Sequence, residues 1–219
     1  MSSNFIQALA GARLYPVTDR SLSGLSHAAQ VTHLTDAGAT IIQLREKTDP
    51  PSRFYAEAKT AIHVARERGV KIIINDRVDI ALALKADGVH LGQEDLPPEA
   101  ARRILGPGAV IGFSTHNLEQ AKRAAEMPVD YIAVGPIFPT HTKKSGNAPV
   151  GLEGLRQLRQ ALDPTPIVAI GGITATNIRL VMEAGADAAA VISDIWRPRI
   201  DIPAKIQQLI EAAQPRSAL

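Results

Sequence analysis

The sequence predicts an α/β fold, a single (β/α)8 TIM barrel that takes in residues 1–219 as one domain. Short apolar runs rich in Val, Ile, Leu and Ala alternate with longer helical patterns, and this alternation occurs eight times. A weak repeat, DAGAT at Asp36, KADGV at Lys85 and EAGAD at Glu183, leads three times from a helix through glycine into a strand. Eight βα units without a linker close most simply into a barrel, and 219 residues suit one such domain.

The predicted strands are short apolar runs separated by helical spacing. They are Ala12–Val17, Thr40–Leu44, Lys71–Ile74, Gly88–Leu91, Val110–Phe113, Tyr131–Val134, Pro166–Ile170 and Ala188–Ile192. Helical spacing is found at Ser52–Arg68, Leu118–Ala125, Leu152–Ala161 and Thr174–Ala184. Thr174 and Asn117 match helix N-caps, and Gly69 and Gly185 match C-caps.

The composition excludes several classes of protein. The chain has no cysteine, which removes disulfides, thiolate nucleophiles and Cys-ligated zinc together. No apolar run is long enough to span a bilayer, and the first residues, MSSNFIQAL, lack a signal-peptide pattern. A net charge of +2 and 4% aromatic residues give no support for nucleic-acid binding. We expect a cytoplasmic protein with no membrane partner; its oligomeric state stays open, a homo-oligomer among the options.

The stretch YIAVGPIFPTHTKKSG, Tyr131–Gly146, runs from a predicted strand into a loop rich in hydrogen-bond donors. The hydroxyls of Thr140 and Thr142 lie in sequence beside the ammonium groups of Lys143 and Lys144. Charge-assisted hydrogen bonds of this kind suit phosphate oxygens. The alternative is an ordinary solvated surface loop.

The end of the second predicted strand also carries charge. The two-residue period of a strand places Gln43, Arg45 and Lys47 on one face, and Ile42 and Leu44 on the other. If the apolar face packs on helices, the polar face points to the barrel mouth, where buried cations need an anionic partner. A frayed strand end with solvated charges is the alternative.

Two carboxylates follow neighbouring strands. Asp76 follows the third strand and Asp95 the fourth, and such a pair suits a hard cation such as Mg²⁺, which takes one or two carboxylates plus phosphate oxygens. Asp76 could instead cap a helix that begins near Val78.

A second anion site is predicted after the last two strands. The seventh strand ends in Gly171-Gly172, and the eighth ends in Ile192-Ser193. In barrels, loops after these strands frequently hold phosphate, since glycine amides approach it closely. Ser114, after the fifth strand, adds a hydroxyl at the mouth, although a lone serine is more often a turn or cap residue.

Taken together, these motifs resemble the thiamine phosphate synthase family over essentially the whole chain. The matching segments are QLREK from Gln43, NDRVDIALALKADGVHLGQEDLP from Asn75, GPIFPTHTKK from Gly135, AIGGI from Ala169, and Ile192-Ser193. The resemblance implies a transferase that joins 4-amino-2-methyl-5-hydroxymethylpyrimidine diphosphate to 4-methyl-5-(2-phosphoethyl)thiazole, with Mg²⁺, to give thiamine phosphate and pyrophosphate. His141, Asn147 and Asp194 depart from the family pattern.

The resemblance also implies residue roles. Pyrimidine diphosphate would be held by Gln43, Leu44, Arg45, Glu46, Lys47, Asn75, Ser114 and Lys143. Thiazole phosphate would be held by Thr140, His141, Thr142, Gly172, Ile192 and Ser193. Asp76 and Asp95 would hold Mg²⁺, and Arg45, Lys47 and Lys143 would carry the catalysis by stabilising the departing diphosphate.

Two alternatives remain at this point. A thiazole tautomerase on the same barrel would keep a histidine comparable to His116 but lack the metal-binding pair. A non-catalytic barrel that binds phosphorylated metabolites would need only the site after strands seven and eight. No general base is proposed among His90, His116 and His141, because the attacking thiazole nitrogen carries no proton.

Overall fold

The computed structural model describes residue 9 and residues 11–140, 146–196 and 201–215. Within these ranges eight parallel strands form one sheet, in the order β1-β8-β7-β6-β5-β4-β3-β2. The strands are β1 (Leu14–Pro16), β2 (Ile41–Leu44), β3 (Lys71–Asn75), β4 (Gly88–Leu91), β5 (Val110–Thr115), β6 (Tyr131–Val134), β7 (Ile167–Ile170) and β8 (Ala188–Val191).

The two edges of this sheet meet and close it into a barrel. Val17, just after β1, pairs with Gln43 of β2 in a parallel bridge. The amide of Thr18 donates to the Gln43 carbonyl at 2.9 Å. The predicted (β/α)8 barrel is therefore confirmed.

Nine helices lie entirely within the described residues, and each strand is followed by one of them, or by two in the case of β1. They are α1 (Arg20–Ser23), α2 (His27–Asp36), α3 (Pro51–Glu67), α4 (Val78–Leu84), α5 (Pro98–Leu105), α6 (Leu118–Ala125), α7 (Gly151–Leu162), α8 (Ile178–Glu183) and α9 (Ile202–Ala213). None of these helices has the length and apolar content that crossing a membrane requires.

The predicted N-caps have opposite outcomes. Asn117 caps α6, since its side chain accepts from the amide of Gln120 at 2.9 Å. The prediction that Thr174 is a helix N-cap was wrong, because α8 begins only at Ile178 and its N-cap is Asn177. The Asn177 side chain accepts from the Thr174 amide at 2.8 Å, so it stabilises the turn that precedes the helix.

Gly69 and Gly185, which were predicted as helix C-caps, each lie one residue after the actual C-cap. The capping residues themselves are Arg68 for α3 and Ala184 for α8. Gly69 and Gly185 come next, with φ of 69° and 103°, where a side chain would be strained.

Alternate residues of the strands face two separate cores. The outer core lies between strands and helices and includes Ile42 and Leu44, as the strand period predicts. The inner core fills the barrel with residues such as Tyr15, Ile73 and Tyr131. Polar side chains of the inner face are found towards the C-terminal ends of the strands, where the candidate site lies.

The inner core is packed tightly at Gly112. A Cβ atom there would lie 2.0 Å from Cζ of Tyr131, so the tyrosine ring fits only because residue 112 has no side chain. We expect Gly112→Ala to reduce the free energy of unfolding by about 1–3 kcal/mol through overpacking, measured by denaturant titration. Gly108→Ala is the control, since no atom lies within 4 Å of its Cβ position. Equal unfolding midpoints for the two variants would contradict the packing argument.

Candidate active site

A cavity of about 870 Å³, its open mouth included, lies at the C-terminal ends of the strands. The predicted site residues that line it are Gln43, Arg45, Asn75, Ser114, Thr140, Gly172, Ile192 and Ser193. Strand ends that are distant in sequence are thus brought around one cavity.

Arg45 is held in place by an acid that sequence reasoning missed. Its Nη1 lies 2.6 Å from Oδ2 of Asp19, which is buried at the end of β1 and caps α1. The amide of Arg45 also donates to Thr18 Oγ1 at 3.2 Å. Because a planar guanidinium has five donors, this ion pair orients Arg45 while leaving other donors for a ligand. The only signal in the sequence was the position of Asp19 shortly after the first predicted strand, with Thr18 between them.

Two residues of the QLREK segment point away from the cavity. The Leu44 side chain lies in the outer core and is fully buried there. The Glu46 side chain turns back into its own loop, where Oε1 accepts from the amides of Lys47, Thr48 and Asp49 at 2.8–3.2 Å. The assignment of Leu44 and Glu46 to the pyrimidine diphosphate stays a prediction, and their side chains do not line the cavity. Strand alternation and loop capping are the physical reasons.

Glu46 organises the loop that follows β2. Burial acts to raise the pKa of Glu46, but hydrogen bonds from Thr48 and Asp49 and the nearby His27 outweigh it and lower the pKa from 4.5 to about 2. A carboxylate whose pKa is depressed in the folded state stabilises the fold above its unfolded pKa. This stabilisation is lost as the pH falls from about 4.5 towards 2.

We expect Glu46→Gln to lower the free energy of unfolding at neutral pH, because a neutral amide oxygen accepts more weakly than a carboxylate and removes the negative charge beside Arg20. Below pH 4.5, the difference from the parent protein should shrink as the parent loses the Glu46 contribution. Denaturant titrations between pH 7 and pH 3 measure it. A difference that does not change with pH would contradict the role given to the charge.

The two predicted metal-binding carboxylates, Asp76 and Asp95, interact with each other after β3 and β4 but do not line the cavity. Burial, together with the adjacent Asp95 carboxylate, raises the pKa of Asp76, against an opposing effect of the Lys47 ammonium, which contacts Asp76. Asp76 has φ of 61°, and α4 is capped by Arg77 with no side-chain bond. The alternative that the Asp76 side chain caps a helix is therefore wrong.

The donors of this pair fit a hard divalent cation. Two carboxylates in contact, with one of them resisting ionisation, are chemically suited to binding a cation. Within residues 9, 11–140, 146–196 and 201–215, no group of three or more His, Cys, Asp or Glu side chains could hold a metal ion. A site of two carboxylates suits an ion that completes its coordination with water and substrate phosphate.

The opposite side of the cavity is built from backbone. Gly171 and Gly172 follow β7 with φ of 99° and 68°, and the Gly171 carbonyl accepts from the Phe138 amide at 3.0 Å. A Cβ at Gly172 would lie 2.7 Å from Cβ of Phe138. These glycines therefore also let the loop after β6 pack against β7. Ile192 and Ser193 complete this side after β8.

Asp194 does not line the cavity. Its Oδ2 lies 2.8 Å from Nζ of Lys205 on α9 and accepts from the Ala175 amide at 3.2 Å. The negative charge that departs from the family pattern is thus paired with a lysine beside the candidate phosphate site.

A buried chain of hydrogen bonds crosses the barrel below the cavity. It joins Gln43, Tyr15, Tyr131, His90 and Ser114 in that order. Burial raises the pKa of both tyrosines, so both hydroxyls stay protonated. Sequence reasoning considered His90 only as a base and did not connect the tyrosines with the site. A strand period tells on which face each residue lies, but not that side chains from different strands contact each other.

Asn75 lies in the same layer, buried against the cavity, with its side-chain Nδ2 unpaired. An unpaired buried donor that faces a cavity suits a ligand acceptor. The remaining predicted residues of the loop after β6, His141, Thr142 and Lys143, lie outside the described residues.

Comparison with known proteins gives consistent matches. The family model described as thiamine monophosphate synthase matches residues 14–195. The chain belongs to this family. It is 48% identical over 198 residues to the thiamine-phosphate synthase of Chloroflexus aurantiacus, with 90% of each chain covered. The thiamine-phosphate synthase of Albidiferax ferrireducens is 46% identical, with 94% of each covered.

A solved structure agrees with the family. Thiamine phosphate pyrophosphorylase from Pyrococcus furiosus superposes with a TM-score of 0.85 at 38% identity, covering 94% of this chain and 96% of that one. As a member of the thiamine monophosphate synthase family, the chain is an enzyme of the transferase class.

Proposed function

We propose that the chain transfers the 4-amino-2-methylpyrimidinylmethyl group from its diphosphate to 4-methyl-5-(2-phosphoethyl)thiazole, giving thiamine phosphate and pyrophosphate. The observation that carries this proposal is one cavity lined by the Arg45 guanidinium on one side and by paired glycines on the other. The interacting carboxylates of Asp76 and Asp95 follow β3 and β4, and Asp76 comes directly after the lining residue Asn75. Both substrates are small and anionic, so the reaction needs two phosphate sites. The proposed reaction is cytoplasmic and involves small-molecule substrates, with no nucleic-acid or membrane partner.

The pyrimidine diphosphate is assigned to the side formed by β2, β3 and β5. Arg45 offers guanidinium donors to diphosphate oxygens, and Asp19 holds it at the cavity wall. The unpaired Nδ2 of Asn75 donates to the same ligand. Lys47, and Lys143 from the loop after β6, add positive charge. Gln43 and Ser114 contact the ligand from below.

Asp76 and Asp95 are proposed to hold Mg²⁺, together with diphosphate oxygens. When bound, the ion would supply electrophilic stabilisation of the departing diphosphate. Lys47 would then be shared between Asp76 and the diphosphate, since its ammonium already contacts that carboxylate.

The thiazole phosphate is assigned to the side formed by β7 and β8. The amides after Gly171 and Gly172, together with the Ser193 hydroxyl, present donors to a phosphomonoester. Thr140 lines the same cavity, and His141 and Thr142 are proposed to continue this side. Ile192 contributes an apolar wall beside the thiazole ring.

The chemistry requires little from a protein base. The aminopyrimidine is electron-rich, so it helps to expel pyrophosphate and leaves a stabilised cation, which the thiazole nitrogen attacks. Because that nitrogen carries no proton, the residues stabilise charge and do not transfer protons. Arg45, Lys47 and Lys143 do so by neutralising the charge that develops on the leaving diphosphate.

Pyrophosphate release tests the proposal. We expect release only when both substrates and Mg²⁺ are present, with thiamine phosphate formed in equal amount. Omission of each component in turn is the control. Proton exchange on a thiazole substrate without pyrophosphate release would favour a tautomerase, and binding without turnover would favour a phosphometabolite-binding barrel.

A further inference from the structure

We infer that Tyr15, Tyr131 and His90 form a hydrogen-bond chain of fixed direction that leaves the Ser114 hydroxyl as a donor into the cavity. In this hydrogen-bond chain the two tyrosines are positioning residues, because they do not line the cavity and act on a ligand only through His90 and Ser114, which do. The direction of the chain is a property of the free protein. Its effect on turnover rests on the proposed function.

The chain consists of four successive contacts. Gln43 Nε2 lies 3.3 Å from Tyr15 Oη, which lies 3.0 Å from Tyr131 Oη. Tyr131 Oη lies 2.9 Å from His90 Nδ1, and His90 Nε2 lies 2.8 Å from Ser114 Oγ. Tyr15 is 1% exposed, Tyr131 0% and His90 7%, so solvent does not compete for these bonds.

The first donor sets the direction of every bond that follows. The amide nitrogen of Gln43 can only donate, so Tyr15 Oη accepts from it and gives its one hydrogen to Tyr131. Tyr131 then donates to His90 Nδ1. The hydrogen of the neutral imidazole is thereby assigned to Nε2, which donates to Ser114 Oγ.

The reverse direction leaves a buried hydrogen without an acceptor. Tyr15 would then accept from both Gln43 and Tyr131. No further acceptor for the Tyr15 hydroxyl is found in the described part of the chain, and an unsatisfied buried donor is destabilising.

The consequence concerns Ser114, which lines the cavity. Since its oxygen accepts from His90, its own hydrogen is available to an acceptor on a bound ligand, a ring nitrogen or a phosphate oxygen. The Ser114 carbonyl accepts from Gln93 Nε2 at 2.5 Å, which fixes the backbone beneath the hydroxyl. Gly112 leaves room for the Tyr131 ring that the chain requires.

The tautomer of His90 tests the direction in the free protein, with no substrate and no activity measured. Long-range proton–nitrogen correlation spectra of protein labelled with ¹⁵N-histidine report both ring nitrogens. We expect Nδ1 unprotonated and Nε2 protonated, with the signals assigned by their loss in His90→Asn among the six histidines. A proton on Nδ1, with or without one on Nε2, would overturn the inference, because Nδ1 could then not accept from Tyr131.

Kinetics test the positioning role. We expect Tyr131→Phe to lower kcat/KM for the pyrimidine diphosphate about tenfold, the equivalent of one hydrogen bond. In a Ser114→Ala background the same change should have no further effect, because the two residues act through one hydroxyl. An equal loss in both backgrounds would show a merely structural role and overturn the assignment.

Two variants keep this comparison interpretable. Tyr55→Phe is the matched control, since Tyr55 is 38% exposed on α3 and is not part of the hydrogen-bond chain. This variant should leave kcat/KM unchanged. If Tyr131→Phe fails to fold, Tyr15→Phe replaces it. The effect of Tyr15→Phe is then compared in the parent protein and in the Ser114→Ala background, one hydrogen bond further from Ser114. If the parent protein shows no synthesis of thiamine phosphate, the proposed function fails, while the tautomer measurement still decides the direction of the chain.

Discussion

Replacing Arg45 with alanine is expected to lower kcat/KM for the pyrimidine diphosphate by about 100- to 1000-fold, the range for removal of one preorganised donor to developing charge. Arg45 lines the cavity and is oriented by Asp19 at 2.6 Å, so few other groups can replace it. Binding of the thiazole phosphate should change little, because that ligand is assigned to the other side. Steady-state kinetics and calorimetry with one ligand at a time measure both effects.

Arg53→Ala is the matched control for Arg45. Arg53 is 58% exposed and pairs with Asp49 at 3.4 Å, an arrangement that contributes little to stability. Its kcat/KM should equal that of the parent protein. If Arg45→Ala remains folded in a thermal melt and retains kcat/KM within a few-fold of the parent, Arg45 has no part in stabilising the leaving group.

The second large effect is expected at the paired carboxylates. Asp76→Asn and Asp95→Asn should each lower turnover at limiting Mg²⁺ by about 100-fold, since stabilisation by a bound metal is worth several kcal/mol. Their combined loss should be smaller than the product of the single losses, because both serve one ion. Turnover measured over a range of Mg²⁺ concentrations shows both features.

The free energy of unfolding and a variant of the neighbouring Glu94 provide the controls for the Asp76 and Asp95 variants. Because burial and Asp95 raise the pKa of Asp76, its ionised form is disfavoured, and Asp76→Asn should not lower the free energy of unfolding. Glu94→Gln, at an exposed position one residue before Asp95, should leave the Mg²⁺ dependence unchanged. Losses that multiply fully in the double variant would mean that Asp76 and Asp95 serve separate purposes.

The sequence was informative wherever a regular period decides the direction of a side chain. Apolar runs indicated all eight strands, and the two-residue period placed Gln43 and Arg45 at the cavity with Ile42 and Leu44 behind them. The same period argues against a cavity contact for the Leu44 side chain, which was carried over from the family motif as part of a continuous segment. A motif of consecutive residues does not distinguish the two faces of a strand.

The roles of some side chains could not be predicted from the sequence, because they depend on hydrogen bonds within turns. Glu46 accepts from three amides of its own loop, and Asn177 accepts from Thr174, so both side chains serve turns that the sequence pattern did not indicate. Gly172 was chosen for its approach to phosphate, but a Cβ there would also contact Phe138. Asp19 and the pair of tyrosines depend on contacts between strands far apart in the chain, which no local pattern contains.

A crystal structure with thiamine phosphate, pyrophosphate and Mg²⁺ bound tests the central claim, that one cavity has two separate anion sites, most directly. We expect pyrophosphate beside Arg45 and the ion on Asp76 and Asp95. The phosphomonoester should lie against Gly172 and Ser193, at the ends of β7 and β8. A phosphomonoester beside Arg45, or pyrophosphate at the glycine pair, would contradict the division of the cavity between the two substrates.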